Sequence, residues 1–392
     1  MSQSSSVAQA IVEQLTRASW IRRMFEEGAR LKVERGLENV FDFTLGNPDL
    51  EPPQALIDAL REVVAENRPG SHAYMPNAGY VEVRAEIARR LEAATGLPYT
   101  ADHVIMTVGA AGALNVILKS ILDAGDEVLV LAPFFAEYTF YVGNHGGRLV
   151  PVETDENAQP VVARIAAALG PRTKALILNS PNNPTGAVYP EAFFRELGAL
   201  LEARQHPLLV LTDEPYRMLA FDGVAVPQVP PLVRRTVVCD SYSKVLAVPG
   251  ERIGYLAISP RIEEARALFD AAVFALRVLG FVNAPAVWQW TVARARGVRV
   301  DPTPYQRRCE RVYGALVAMG YRAVRPQGAF YVFVQTPTPD DIAFVGRLKQ
   351  EGILAVPGTG FGRPGYMRLS VTVPPEAIER SLPGFERALD AH

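Results

Sequence analysis

The chain has 392 residues, 49% of them hydrophobic and 21% charged, with 40 Lys plus Arg against 42 Asp plus Glu for a formal net charge of -2. That length gives room for about two or three domains and a large buried core. The even charge balance argues against a nucleic-acid footprint or a polybasic membrane patch. The only two cysteines, Cys239 and Cys309, exclude a disulfide framework and speak against a thiolate metal site.

In chain order, Met1–Gln14 is Ser-rich and then helical. It lacks a basic stretch followed by an apolar core, so no signal peptide is expected, and free thiols point to a reducing cytoplasm. Gln54–Glu66 and Tyr80–Ala94 carry apolar residues at helical spacing, as at Val83, Ile87 and Leu91. Val104–Val108, Glu127–Leu131, Leu149–Val152, Ala175–Leu178, Leu208–Thr212 and Thr236–Cys239 read as strands. They are almost continuously apolar, as strands covered on both faces are. Ala113–Leu122, Val161–Leu169 and Glu191–Ala203 between them read as helices. Strand–helix–strand units at this spacing predict an α/β fold with a doubly wound, mostly parallel sheet. The uncharged stretches Val104–Leu118 and Val278–Ala293 are too short to span a bilayer and read as core. Beyond about residue 300, Tyr305–Met319 and Pro375–Leu389 look helical, and Ala329–Val334, Ile353–Val356 and Tyr366–Val371 look like strands. This is a smaller α+β domain, and Asp301-Pro-Thr-Pro304 suits its boundary.

Two strings mislead. Gly360-Phe-Gly362-Arg-Pro-Gly365 matches the dinucleotide fingerprint, which needs a following helix to aim its N-terminus at pyrophosphate. Pro364 and a strand-like run follow instead. Ser241-Tyr-Ser-Lys244 matches the S-x-x-K of penicillin-binding enzymes, whose S-D-N and K-T-G partners are missing from this chain. The histidines His72, His103, His145, His206 and His392 share no ligand spacing, so no metal is expected.

The chemistry-bearing residues gather just after strands. Asn183 follows Ala175–Leu178, Asp213 and Tyr216 follow Leu208–Thr212, and Ser241 and Lys244 follow Thr236–Cys239. Gly109-Ala-Ala-Gly112 follows Val104–Val108 and opens a helix. Ligands of open α/β sheets sit outside the carboxyl ends of the strands. A small-residue turn at a helix N-terminus is a ready phosphate cradle. A lysine beside a phosphate site and a carboxylate suggests pyridoxal 5'-phosphate, joined as an imine to Lys244 and charge-paired at its ring nitrogen.

At this point the chain resembles a fold-type I, class I/II aminotransferase, of the bacterial group carrying S-x-S-K-x-L-x-x-P-G-E-R-I-G-Y. The matching stretches include Phe43-Thr-Leu-Gly46-Asn-Pro, Tyr74-Met-Pro-Asn-Ala-Gly79, Ser180–Gly186, Asp213-Glu-Pro-Tyr216, Ser241–Gly254 and Met367-Arg368-Leu-Ser. The resemblance implies a large cofactor domain over 46–299 and a small domain built from 1–45 plus 300–392. It implies that Lys244 holds the cofactor as an internal aldimine and then moves protons. Asp213 would pair with the ring nitrogen, and Asn183 and Tyr216 would bond the ring hydroxyl oxygen. Arg252, Ser241, Ser243 and the turn of Gly109, Ala110 and Ala111 would hold the phosphate. Phe135 would stack on the ring, and Tyr74 would reach the phosphate of a partner subunit, which implies a homodimer with shared sites. Arg368 would clamp the substrate α-carboxylate, with Gly46 lining the same pocket. Arg277 is a candidate for a second carboxylate. The implied reaction moves an amino group between an amino acid and a 2-oxo acid. The same machinery also serves elimination or replacement at Cβ or Cγ, for instance on S-adenosylmethionine, and amino-acid oxidation. Val245 and Val248 depart from the group pattern, and Trp20 is larger than the aliphatic residue expected beside the substrate pocket.

Overall fold

The computed structural model describes residues 6–9, 11–12, 14–15, 28, 30–204 and 206–390. Trp20 lies outside the described residues. A two-residue β1 (Phe41–Asp42) comes first. Then come β2 (Val104–Thr107), β3 (Glu127–Ala132), β4 (Arg148–Glu153), β5 (Thr173–Asn179), β6 (Leu209–Asp213), β7 (Thr236–Ser241) and β8 (Gly254–Ile258). These form one seven-stranded sheet in the order β2-β8-β7-β6-β5-β3-β4. The neighbours from β4 through to β7 are parallel, and β8 runs antiparallel to both β7 and β2.

The apolar runs form strands because helices cover both faces, leaving β2, β3, β6 and β8 buried along their whole length. Helices Gly109–Ile121 and Ala265–Val278 pack together on one face, with Leu114, Ile117, Leu268 and Leu276 in a shared core. Helix Glu191–Glu202 buries Phe193, Phe194 and Leu197 against Leu176, Leu178 and Val210 in another.

Two expectations need correction, and one strand went unread. The strand at Leu149–Val152 is not covered on both faces: β4 is the sheet edge, and within it only Val152 is buried. The strand β8 went unread because it is reached by a tight return after Arg252 rather than by a crossover helix, and it opens on a glycine. Val278–Ala293 is not uniform core: Val278 is 50% exposed at the end of one helix, and the chain turns at Gly280 before the helix Ala286–Arg294.

A second body follows. It contains β9 (Ala323–Val324), β10 (Tyr331–Gln335), β11 (Ile353–Leu354), β12 (Val356–Pro357) and β13 (Tyr366–Ser370). Four of these form an antiparallel sheet ordered β12-β13-β10-β9. β1 pairs in parallel with β11, Phe41 opposite Ile353, so Phe41–Asp42 lies against the C-terminal segment. Helices Thr303–Ala318, Asp341–Gln350 and Pro375–Asp390 close over a core containing Phe43, Leu316, Phe344, Leu348 and Phe385. The Gly360–Gly365 string forms a short turn leading into β13, with no helix behind it. Among the described residues, no helix is long and apolar enough to cross a membrane.

Candidate active site

A cavity of about 380 Å³ is lined by the last residues of β5, β6 and β7, Asn179, Asp213 and Ser241, and by Tyr331 of β10 and Arg368 of β13. Residues of both sheets therefore line it.

The floor is Asp213. Its Oδ2 accepts from the Tyr138 hydroxyl at 2.5 Å, while its buried Oδ1 has no partner among the described residues. Burial pushes the carboxyl up to about 7; the Tyr138 bond opposes that shift and nearby Glu214 adds to it. An orphaned buried carboxylate oxygen is expensive unless a donor or cation meets it. Tyr138 went unnoticed in the sequence, although it lies a few residues beyond the end of β3.

Lys244 follows β7 in the short helix Tyr242–Val245, which is capped by the Ser241 side chain accepting from the Ser243 N–H. Its Nζ donates to the Gly46 carbonyl at 2.8 Å and lies 5.6 Å from the centre of the Phe330 ring. Burial, then the positive Arg252 and Arg368, pull the ammonium down to about 8. A buried lysine lowered this far has a usable fraction of neutral amine near physiological pH.

One end of the cavity is built for an anion. Ser241 Oγ and Ser243 Oγ lie 2.7 Å apart, and Arg252 Nη1 reaches Ser243 Oγ at 3.5 Å. Ala110 and Ala111, at the N-terminus of the 13-residue helix Gly109–Ile121, line the same cavity. Two glycines permit this crowding. At Gly109 (φ 80°) a Cβ would fall 2.8 Å from Arg252 Nη2, and at Gly254 one would fall 2.4 Å from the Asp240 carbonyl.

At the other end stands Arg368, only 7% exposed. Nη1 donates to Asn183 Oδ1 at 3.2 Å and Nη2 to the Thr44 carbonyl at 2.6 Å, while Nε is buried without a partner among the described residues. The guanidinium lies 4.8 Å from the centres of both the Tyr331 and the Phe361 rings. Its partners are neutral, and burial lowers its pKa. The Tyr331 hydroxyl bonds the Tyr216 hydroxyl at 2.9 Å. Phe361 belongs to the misleading Gly-rich string, whose place in the molecule is this wall.

Phe135 lines the cavity and meets Tyr138 edge-on, with centroids 5.6 Å apart. Tyr74 is 93% exposed and lies outside the cavity of its own chain. Arg277 also lies outside it, on helix Ala265–Val278, with its guanidinium over Phe274. Among the described residues, no group of three or more His, Cys, Asp or Glu converges on a metal position.

The donor set fits pyridoxal phosphate: an anion cradle, a buried acid with a free oxygen, a near-neutral lysine and an aromatic wall. The comparisons point the same way. The family model described as "Aminotransferase class I and II" matches residues 38–383. The chain is 34% identical to an aspartate/prephenate aminotransferase of Thermus thermophilus over 92% of this chain and 93% of that one. It is 32% identical to an aspartate aminotransferase of Geobacillus stearothermophilus over 90% and 92%. Among solved structures, an amino transferase from Eubacterium rectale superposes with a TM-score of 0.95, at 37% identity over 99% of both chains. The Thermus thermophilus aspartate aminotransferase with maleate gives 0.84, at 32% identity over 94% and 96%. With the match running through both sheets and every wall of the cavity, the chain belongs to the class I and II aminotransferases, fold-type I enzymes that depend on pyridoxal phosphate and move amino groups between amino acids and 2-oxo acids.

Proposed function

We propose that the reaction is carried by Lys244, Asp213 and Tyr216, with Arg368 gripping the substrate α-carboxylate. The observation that carries this reading is the juxtaposition of a buried lysine, an acid with a free oxygen and an arginine with neutral partners in one cavity. When bound, pyridoxal phosphate supplies an electron sink for charge developing at the substrate Cα.

Lys244 would anchor the cofactor through Nζ, and the same amine would serve as the base that moves the proton from the substrate Cα to C4′. Its lowered pKa suits both tasks, because a base works best near the operating pH. Asp213 would pair with the ring nitrogen and keep it protonated, and that ion pair would draw the carboxyl back from its raised value. Asn183 and Tyr216 would hydrogen-bond the ring hydroxyl oxygen. Ser241, Ser243, Arg252 and the turn at Gly109, Ala110 and Ala111 would hold the phosphate. Phe135 would pack on the ring face. Arg368 offers a planar fork that matches a carboxylate with two parallel hydrogen bonds, beside the Gly46 backbone.

In the same reading the active unit is a homodimer. The exposed Tyr74 of each chain would complete the partner's phosphate site. The chain divides into a large domain over 46–299 and a small one from 1–45 plus 300–392, and it works in the cytoplasm.

The deciding experiment presents single amino acids without a 2-oxo acid. Amino transfer stops after one oxo acid per site. Sustained release of ammonia, peroxide or a leaving group would instead mean elimination or oxidation.

A further inference from the structure

One acid in the cavity is left without a role. Glu137 lines the wall beside Ala136 and Tyr141 and is half-buried. It precedes the six-residue helix Tyr138–Gly143 but makes no side-chain cap bond to it. Among the described residues, no lysine, arginine or histidine pairs with its carboxylate.

The cavity's cations are committed elsewhere. Lys244 donates to the Gly46 carbonyl, Arg252 to the Ser243 hydroxyl and the Pro249 carbonyl, and Arg368 to Asn183 and Thr44. In the proposed roles Lys244 carries the cofactor, Arg252 meets its phosphate and Arg368 meets the α-carboxylate. Asp213 is matched by the ring nitrogen. Glu137 alone has no counter-charge in the loaded site. Burial raises its pKa with no cation to oppose the shift. Tyr141 lines the same cavity; burial and then the Glu137 charge raise its pKa, while the more weakly felt Arg252 opposes the rise. Leu45, Leu114 and Phe361 supply apolar lining, on which the methylenes of a long side chain can pack.

We propose that Glu137 and the Tyr141 hydroxyl form the side-chain subsite, and that it selects α-amino acids carrying a distal ammonium or guanidinium. A substrate with a second carboxylate would add like charge in a partly desolvated space, which is unfavourable. The chain would then differ in preference from relatives named for aspartate. This inference rests on the amino-transfer reading of the same cavity.

The test uses the loaded enzyme and compares kcat/KM for lysine, for norleucine (the same chain without its amine) and for glutamate. Wild type should favour lysine over norleucine by about tenfold or more, the size of a charge-assisted hydrogen bond. Glu137→Gln should bring that ratio toward one, with the change in KM. Glu137→Lys should turn the preference toward glutamate. A wild-type ratio at or below one overturns the proposal, with no variant required, and so does a ratio that Glu137→Gln leaves intact. If no amino acid is converted at all, the amino-transfer reading fails instead. Calorimetric affinities of lysine and norleucine for the loaded protein then decide the Glu137 role alone. Tighter lysine binding in wild type but not in Glu137→Gln supports it, and equal affinities overturn it.

Discussion

The two walls of the cavity are built on different principles. The large sheet contributes residues at strand ends: Asn179, Asp213 and Ser241 terminate β5, β6 and β7, and Lys244 lies three positions past Ser241. Strand ends leave side chains free to face a ligand while the buried strands hold their positions. The small sheet contributes residues from within strands. Arg368 sits in β13 opposite Phe333 of β10 and Val356 of β12, and Tyr331 opens β10. One wall therefore holds the groups proposed to carry the chemistry, and the other holds a cation clamped between rings. Bond-making and substrate grip should respond separately to mutation.

The sharpest break is Lys244→Ala. Turnover should fall by about 10⁴-fold or more, as when a covalent base is removed. Reduction with borohydride followed by peptide mapping should find no cofactor on residue 244, and an unchanged adduct in that variant would end the assignment. Arg368→Lys strikes the other wall. Replacing a bidentate fork by a point charge should lower kcat/KM about 100-fold, chiefly through KM, with the cofactor spectrum unchanged. A loss confined to kcat would erase the division between the walls.

Tyr138→Phe removes the one donor to Asp213 Oδ2 among the described residues. It should slow turnover about tenfold while leaving KM for the amino acid near its wild-type value. Gly254→Ala probes the joint beneath the phosphate cradle, since its Cβ would also fall 2.8 Å from the Gly109 Cα. It should destabilise the protein by about 2 kcal/mol, read as a lower denaturation midpoint and faster cofactor loss. The gentlest probe is pH. Neutral amine prevails above the lysine pKa, so uptake of cofactor aldehyde by the apoprotein should rise as pH increases through about 8. A midpoint in the ordinary lysine range would contradict a buried, cation-flanked Nζ.

Much of the large sheet was legible because covered strands are continuously apolar, and their ends came within a residue or two of the expected positions. The helix after β2 begins at Gly109, four residues earlier than its apolar stripe suggested, because the left-handed turn at that glycine starts it. β4 misled because an edge strand can be as apolar as a central one while only Val152 is buried. The small sheet was less legible. Its strands are short, and the single apolar run Ile353–Val356 splits between β11 and β12, which pair with different strands, so local pattern there carries no register.

The sequence by itself determined the α/β order, the strand-end position of Asp213 and Lys244, and the motifs that resemble class I/II aminotransferases, because these depend on neighbours within a few residues. Only the tertiary structure decided what each group meets. Tyr138 reaches Asp213 across 75 positions, Arg368 reaches Thr44 across 324, and Phe361 leaves its Gly-rich string to cover that arginine. Burial did the rest: it lowers Lys244, raises Asp213 and leaves Glu137 facing the cavity without a cation, and a carboxylate's environment is set by the whole fold rather than by its neighbours in the chain.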